Sequence, residues 1–138
     1  MARSVLIDTS ALVAALRRRD ANHQWARAHF EASTDPFLTC EAVISESFFL
    51  LERARRGKEA LCAVLERGLV VSRFSLIDEL AETLRLLRRY NDTPMSFADA
   101  CLVRMAEKSD AAVVFTADSD FRMYRKNGRQ VIPLIMPE

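Results

Sequence analysis

The chain has 138 residues, 50% hydrophobic and 28% charged, and a formal net charge of +1. This length and balance are typical of one globular domain, residues 1–138, and argue against a globally basic nucleic-acid-binding chain. Without a long apolar run or a signal-peptide pattern, we expect a cytoplasmic protein with no membrane segment. Three scattered cysteines, two histidines and three glycines argue against a disulfide framework, a zinc site, a P-loop and a dinucleotide-binding turn.

Short apolar segments alternate with helical patterns along the chain. Strands are predicted at residues 4–7, 37–39, 69–71, 112–115 and, as an edge strand, 131–134. Helices are predicted at residues 10–18, 22–32, 40–55, 58–67, 76–90 and 97–108, with a short one after Asp118 and with caps at Thr39, Ser75 and Ser96. This order predicts an α/β fold with a parallel sheet covered on both faces.

Acidic and hydroxyl side chains directly follow two of the predicted strands. The first strand runs into Asp-Thr-Ser at residues 8–10, and the fourth into Thr-Ala-Asp-Ser-Asp at residues 116–120. The carboxyl ends of parallel strands meet at one edge of a sheet, where ligands bind in open α/β folds. The repetition favours a site, although Asp8 and Asp118 also suit plain helix capping.

Two further acids belong to the same hypothesis. The residues three and four positions before and after Glu46 are all apolar, and a carboxylate among apolar groups is costly unless it is paired or bound to a metal. Asp99 lies three residues after Ser96, which fits a capping box as well as a site. None of the four acids has an evident basic partner in the sequence.

Several carboxylates that converge require a counter-charge. Mg²⁺ or Mn²⁺ would supply it, activate a water molecule and orient a phosphate. Arginine-rich clusters at residues 17–19, 53–58, 85–89 and 122–129 would suit a polyanionic substrate beside such a site, or would simply be solvated helix faces.

At these residues the sequence resembles PIN-domain ribonucleases and, more closely, toxins of the VapC family. The resemblance rests on the order and spacing of four motifs: LIDTSAL at 6–12, VISES at 43–47, PMSFADA at 94–100 and FTADSDF at 115–121. It implies a three-layer α/β/α sandwich with a mainly parallel central sheet and Mg²⁺- or Mn²⁺-dependent cleavage of RNA.

The resemblance also implies the site residues and the partners. The family's four acidic catalytic and metal-binding positions match Asp8, Glu46, Asp99 and Asp118, and Asp120 matches a supplementary metal ligand. Thr9, Ser10 and Thr116 would be supporting hydroxyls near the metal. Family members commonly form homodimers, are inhibited by a VapB-like antitoxin and contact DNA only through the antitoxin complex.

Other functions are compatible with the sequence. The chain could be a non-catalytic PIN-like module that binds an antitoxin or another protein, or a PIN nuclease outside a toxin–antitoxin system. An aspartate-based phosphatase is disfavoured, because Ser10 occupies the position where such enzymes usually need a second acid.

Overall fold

A computed structural model describes residues 3–138. The strands are β1 (Ser4–Ile7), β2 (Phe37–Thr39), β3 (Val70–Ser72), β4 (Ala112–Phe115), β5 (Arg125–Lys126), β6 (Gln130–Val131) and β7 (Leu134–Ile135). The helices are α1 (Thr9–Leu16), α2 (His23–Ala32), α3 (Glu41–Leu50), α4 (Gly57–Glu66), α5 (Leu76–Arg89) and α6 (Phe97–Glu107), with a short 3₁₀ helix at Ser119–Arg122.

Five strands form the central sheet in the order β3-β2-β1-β4-β7, and every pairing in it is parallel. Six helices flank this sheet, which gives the predicted three-layer α/β/α sandwich. The apolar strand β4 is buried along its whole length, and α6 buries eight of its eleven residues. This burial explains why both segments read as nearly continuous apolar runs rather than as alternating patterns. No helix in residues 3–138 is both long enough and apolar enough to cross a membrane.

The third helix is shorter than predicted. It ends at Leu50, and residues 51–56 form a series of turns before α4 begins at Gly57. A Cβ at Gly57 would lie 2.7 Å from the carbonyl oxygen of Leu51, and the preceding Arg56 has a left-handed φ of 56°. The turn therefore depends on glycine at this close approach, and the predicted helix to residue 55 is wrong.

The edge strand predicted at 131–134 is confirmed as an edge of the central sheet, but its bounds are wrong. Gln130–Val131 pairs antiparallel with Arg125–Lys126 in a separate two-stranded sheet, while Leu134–Ile135 pairs with β4 as the edge of the central sheet. Between the two, Pro133 cannot donate a ladder hydrogen bond, but its carbonyl accepts one of 2.9 Å from the Val114 N–H. Residues 130–135 thus contribute one strand to each of two sheets.

One of the three predicted caps forms as a side-chain cap. Ser96 and Asp99 form the reciprocal capping box at the start of α6. Ser75 precedes α5 but makes no side-chain capping hydrogen bond. The hydroxyl of Thr39 instead donates a hydrogen bond of 2.9 Å to the carbonyl of Ile7, so it ties β2 to the central strand β1.

Candidate active site

The register of β1 and β4 brings the two predicted polar segments together. Ile7 is paired with Phe115, the last residues of their strands, and the Asp8 N–H donates a hydrogen bond of 3.0 Å to the Phe115 carbonyl. Asp8 and Thr116 therefore leave neighbouring strands side by side. β1 is the middle strand of the sheet, so Asp8 emerges at the centre of its carboxyl edge.

Asp8 is a buried carboxylate held by hydroxyl groups. Its side chain is 3% exposed, and its Oδ2 accepts hydrogen bonds from Ser10 Oγ at 2.8 Å and from Thr116 Oγ1 at 2.7 Å. Burial raises the pKa of Asp8 to about 6; the Thr116 bond opposes this shift and the nearby charge of Asp99 adds to it. Asp8 precedes α1 but makes no side-chain capping hydrogen bond, so its carboxylate is not explained as a helix cap.

Asp99 both caps α6 and belongs to the acidic group. It is 7% exposed, its N–H donates to Ser96 Oγ at 3.0 Å, and its Oδ2 accepts the Ser96 N–H at 3.3 Å. The pKa of Asp99 is raised, chiefly by burial and also by the charge of Asp118. Asp99 therefore forms the capping box of α6 and at the same time lies in the acidic group, so the two interpretations of this residue do not exclude each other.

Asp118 and Asp120 extend the group along the edge of the sheet. Asp118 caps the 3₁₀ helix by accepting the Asp120 N–H at 2.9 Å, and its own N–H donates to Thr116 Oγ1 at 2.9 Å. The pKa of Asp120 is raised by desolvation and by the charge of Asp118. The charge of Asp99 thus raises the pKa of Asp8, and the charge of Asp118 raises the pKa of both Asp99 and Asp120, which links the four acids electrostatically.

Glu46 is placed differently from the other acids. It is exposed, and its apolar neighbours Phe49 and Leu50 are themselves 72% and 43% exposed. The prediction that Glu46 has an apolar environment is therefore wrong: Val43 and Ser47 are the residues that α3 buries. No hydrogen bond or ion pair within residues 3–138 joins Glu46 to the other acids.

Tyr124 is a further residue at this site, which the sequence motifs do not single out. Tyr124 is fully buried and donates a hydrogen bond of 2.9 Å from its Oη to Asp99 Oδ2. Burial and this bond to Asp99 raise the pKa of the phenol, so it stays a donor. Its ring packs edge to face on Phe121, three residues earlier, at 5.1 Å between centroids. That spacing of two aromatic residues predicts burial but does not identify the acid as the partner.

The hydroxyl groups form a connected network around Asp8. Ser10 Oγ lies 3.1 Å from Thr116 Oγ1 and accepts the Ala117 N–H at 2.9 Å. Thr9 is 4% exposed, and among residues 3–138 its Oγ1 is the one buried side-chain polar atom without a hydrogen-bond partner. The residue that directly follows Asp8 in the chain thus has a buried oxygen without a hydrogen-bond partner.

The donors suit a hard divalent cation in type and charge. Buried carboxylates whose charges oppose one another are costly without a counter-charge, and no ion pair within the described chain involves Asp8, Asp99 or Asp118. In addition, the oxygen of Thr9, which follows Asp8, is a buried polar atom whose hydrogen-bonding capacity is unsatisfied. In their present orientations, no three histidine, cysteine, aspartate or glutamate side chains of residues 3–138 converge closely enough to hold a metal ion.

Comparisons with known proteins identify related chains. The sequence profile of the PIN domain matches residues 5–127. The ribonuclease VapC26 of Mycobacterium tuberculosis (strain ATCC 25618 / H37Rv) is 28% identical over 118 residues, which cover 83% of this chain and 86% of that protein. The crystal structure of M. tuberculosis VapC20, described as a sarcin-ricin loop cleaving toxin, has the same fold, with a TM-score of 0.75 at 24% identity over 85% of this chain and 92% of that one.

Proposed function

Since the chain belongs to the PIN domain family, we propose that it is a metal-dependent endoribonuclease that hydrolyses RNA phosphodiester bonds, and that it is the toxin of a VapBC-type toxin–antitoxin pair. The observation that carries the proposal is the buried carboxylate of Asp8, which lies within electrostatic reach of Asp99 and has no cation as a partner among residues 3–138. The similarity to ribonuclease VapC26 supports RNA as the substrate.

In this proposal the acids at the carboxyl edge hold Mg²⁺ or Mn²⁺. Asp8, Asp99 and Asp118 are the main ligands, Asp120 is supplementary, and Glu46 holds the metal or orients the attacking water. The cation, when bound, would polarise the scissile phosphate and lower the pKa of a water molecule. The assignment of Glu46 rests on the sequence resemblance, because its side chain is exposed on α3.

The remaining side chains orient the ligands. Ser10 and Thr116 donate to one oxygen of Asp8, which leaves Oδ1 free of these two hydroxyl bonds. The phenol of Tyr124 likewise donates a hydrogen bond to Oδ2 of Asp99. Hydrogen bonds that fix a carboxylate in one orientation reduce the reorganisation needed when substrate or metal binds.

The proposal extends to assembly and location. We propose a single PIN-like domain that acts in the cytoplasm as a homodimer, is inhibited by a VapB-like antitoxin and contacts DNA only through the antitoxin complex. Exposed apolar side chains on α3 and α5 support a protein partner: Phe49 is 72% exposed and Ile77 is 87% exposed.

The experiment is calorimetric titration with Mn²⁺, together with an RNA-cleavage assay with Mn²⁺ or EDTA. The proposal predicts saturable Mn²⁺ binding and cleavage that EDTA abolishes. Absence of both would instead support a non-catalytic PIN-like module that binds a partner protein.

A further inference from the structure

Two of the arginine clusters, far apart in sequence, meet at one surface pocket of about 1140 Å³. Seven arginines line it, which we call the arginine pocket: Arg17, Arg18 and Arg19 from the segment after α1, Arg27 from α2, and Arg53, Arg55 and Arg56 from the turns between α3 and α4. His23 and alanine and leucine side chains complete the lining, which contains no acidic residue. Since the whole chain has a net charge of only +1, this concentration of charge is local.

Most of these cations have no internal partner. Arg17 pairs with Asp20 at 2.9 Å and Arg27 with Glu31 at 2.7 Å, but the other five make no ion pair within residues 3–138. In the cluster at 85–89, Arg85 bridges to Glu82 and Glu107, and Arg89 donates to the Gly128 carbonyl at 2.7 Å. The cluster at 122–129 makes no ion pair within residues 3–138, but it does not line this pocket. The arginine pocket therefore presents unneutralised charge that the fold itself does not use.

Helix capping does not explain the pocket. Cations near helix C-termini are favoured by the helix dipole, and both α1 and α3 end here. However, His23 is the side chain that reaches a late carbonyl of α1, with its Nδ1 2.7 Å from the Ala14 oxygen. No arginine of the pocket makes a side-chain hydrogen bond to a helix carbonyl in the described chain.

The turns that carry three of the arginines are held in place. Leu51 is fully buried at one end of them, and Gly57 packs against the Leu51 backbone at the other. Between them, Arg56 adopts a left-handed φ, which turns the backbone into the start of α4. The backbone that presents Arg53, Arg55 and Arg56 is thus pre-organised, which lowers the entropy lost when a ligand binds.

Two helices connect the arginine pocket to the carboxyl edge of the sheet. Asp8 precedes α1 and Leu16 ends it, so the pocket lies about 12 Å from the edge along this eight-residue helix. Similarly, α3 starts at Glu41, just after the carboxyl end of β2, and ends at Leu50, which lines the pocket about 15 Å away along this ten-residue helix. At about 3.4 Å per nucleotide of a stacked strand, these distances correspond to about four nucleotides.

We propose that the arginine pocket binds backbone phosphates of a single-stranded segment of the RNA substrate, a few nucleotides from the bond that is cleaved. This inference rests on the proposed ribonuclease function. Guanidinium groups match phosphate oxygens in a bidentate geometry, and every nucleotide of the strand carries one such charge. An acidic protein segment would meet the same cations, but RNA is favoured because α1 and α3 link the pocket to the carboxyl edge, where the same strand would be cleaved.

The test compares charge-matched double variants. Arg18→Gln with Arg19→Gln, and Arg53→Gln with Arg55→Gln, each remove two charges from the arginine pocket. Arg3→Gln with Arg67→Gln removes two exposed charges outside the four arginine clusters and is the control. Binding of a short fluorescein-labelled single-stranded RNA is measured by anisotropy over a range of salt concentrations, in EDTA, and gel electrophoresis checks that the probe stays intact.

The pocket variants are expected to bind the RNA about tenfold more weakly than the wild type. Their plot of log affinity against log salt concentration is expected to be shallower by about 0.7 for each phosphate that the variant no longer neutralises. The control double variant is expected to keep the wild-type slope. Equal losses in control and pocket variants, or unchanged slopes in the pocket variants, would overturn the inference.

Two further measurements separate the remaining alternatives. If the pocket variants lose binding to polyglutamate but keep wild-type RNA binding, the pocket takes an acidic protein segment and the inference is wrong. If the wild type fails to cleave RNA with Mn²⁺ but shows pocket-dependent RNA binding, the proposed nuclease function fails while phosphate binding stands. If the wild type cleaves RNA with Mn²⁺ but the pocket variants keep the wild-type salt slope, the proposed nuclease function stands and phosphate binding in the pocket fails.

Discussion

Tyr124 and Asp99 are joined by a hydrogen bond of 2.9 Å between the phenol oxygen and Oδ2 of the carboxylate. The phenol is fully buried and the acid is 7% exposed, so water does not easily replace this bond. The same oxygen of Asp99 accepts the Ser96 N–H, which fixes the carboxylate from two sides. The orientation of an acid at the start of α6 thus depends on a residue beside the C-terminal two-stranded sheet.

Tyr124→Phe is expected to reduce RNA cleavage by about tenfold or more, as is typical when an outer partner of a metal ligand is removed. The Tyr124 hydrogen bond lowers the pKa of Asp99, so its loss should move the acidic limb of the pH–activity profile to higher pH. Tyr90→Phe is the control, because Tyr90 accepts the Arg125 N–H at 2.8 Å and has no hydrogen bond to an acid among residues 3–138. Superimposable pH profiles of both variants and the wild type would contradict this role.

Thr116→Val is expected to shift the pH profile in the same direction through Asp8. The Thr116 hydroxyl lowers the pKa of Asp8, and without it this pKa should rise above its value of about 6. The loss of the buried hydroxyl should also reduce the free energy of unfolding by about 1–3 kcal/mol. Thr83→Val removes a comparable buried hydroxyl, which donates to the Glu79 carbonyl, and should destabilise the protein without moving the profile. Identical profile shifts in the two variants would argue against a specific effect on Asp8.

The stability of the metal-free protein should depend on the ionisation of Asp8. Folding raises the pKa of Asp8 from its ordinary value of 3.8 to about 6, so the folded state binds more protons than the unfolded state between these values. Stability attributable to Asp8 is therefore fully present below about pH 4 and is lost as the pH rises to about 6, by about 3 kcal/mol.

Urea denaturation of the wild type and of Asp8→Asn in EDTA measures this effect. Relative to the wild type, the variant should gain stability as the pH rises through this window, because it has no carboxylate to ionise. Asp92→Asn, in an exposed turn, should show no such gain. Parallel curves for the wild type and Asp8→Asn across the window would show that Asp8 has an ordinary pKa.

Much of the fold follows from local pattern. The structure confirms, as predicted, the short apolar segment of β1, its polar continuation at Asp8 and the buried apolar runs of β4 and α6. The capping box of Ser96 and Asp99 is predictable because its three-residue spacing is a local rule. Parallel strands also fix a common edge, which explains why Asp8 and Thr116 could be expected side by side.

The errors arise where tertiary contacts override pattern. Apolar residues around Glu46 suggested burial, but Phe49 belongs to an exposed apolar surface rather than to the core. The end of α3 depends on a close approach between Leu51 and Gly57, which spacing does not reveal. The hydrogen bond of Tyr124 to Asp99 joins residues 25 positions apart, which no local rule predicts. That all the proposed acids act in catalysis stays a prediction.

The most direct test of the central claim is Mn²⁺-dependent RNA cleavage by purified Asp99→Asn protein. Asp110→Asn, an exposed acid in the turn after α6, is the matched control, and circular dichroism verifies that both variants are folded. Because a metal site contributes several kcal/mol to stabilising the transition state, Asp99→Asn should lose about 100-fold or more of the wild-type rate while Asp110→Asn retains it. Undiminished Mn²⁺-dependent cleavage by folded Asp99→Asn protein would contradict the assignment of these acids as the catalytic centre.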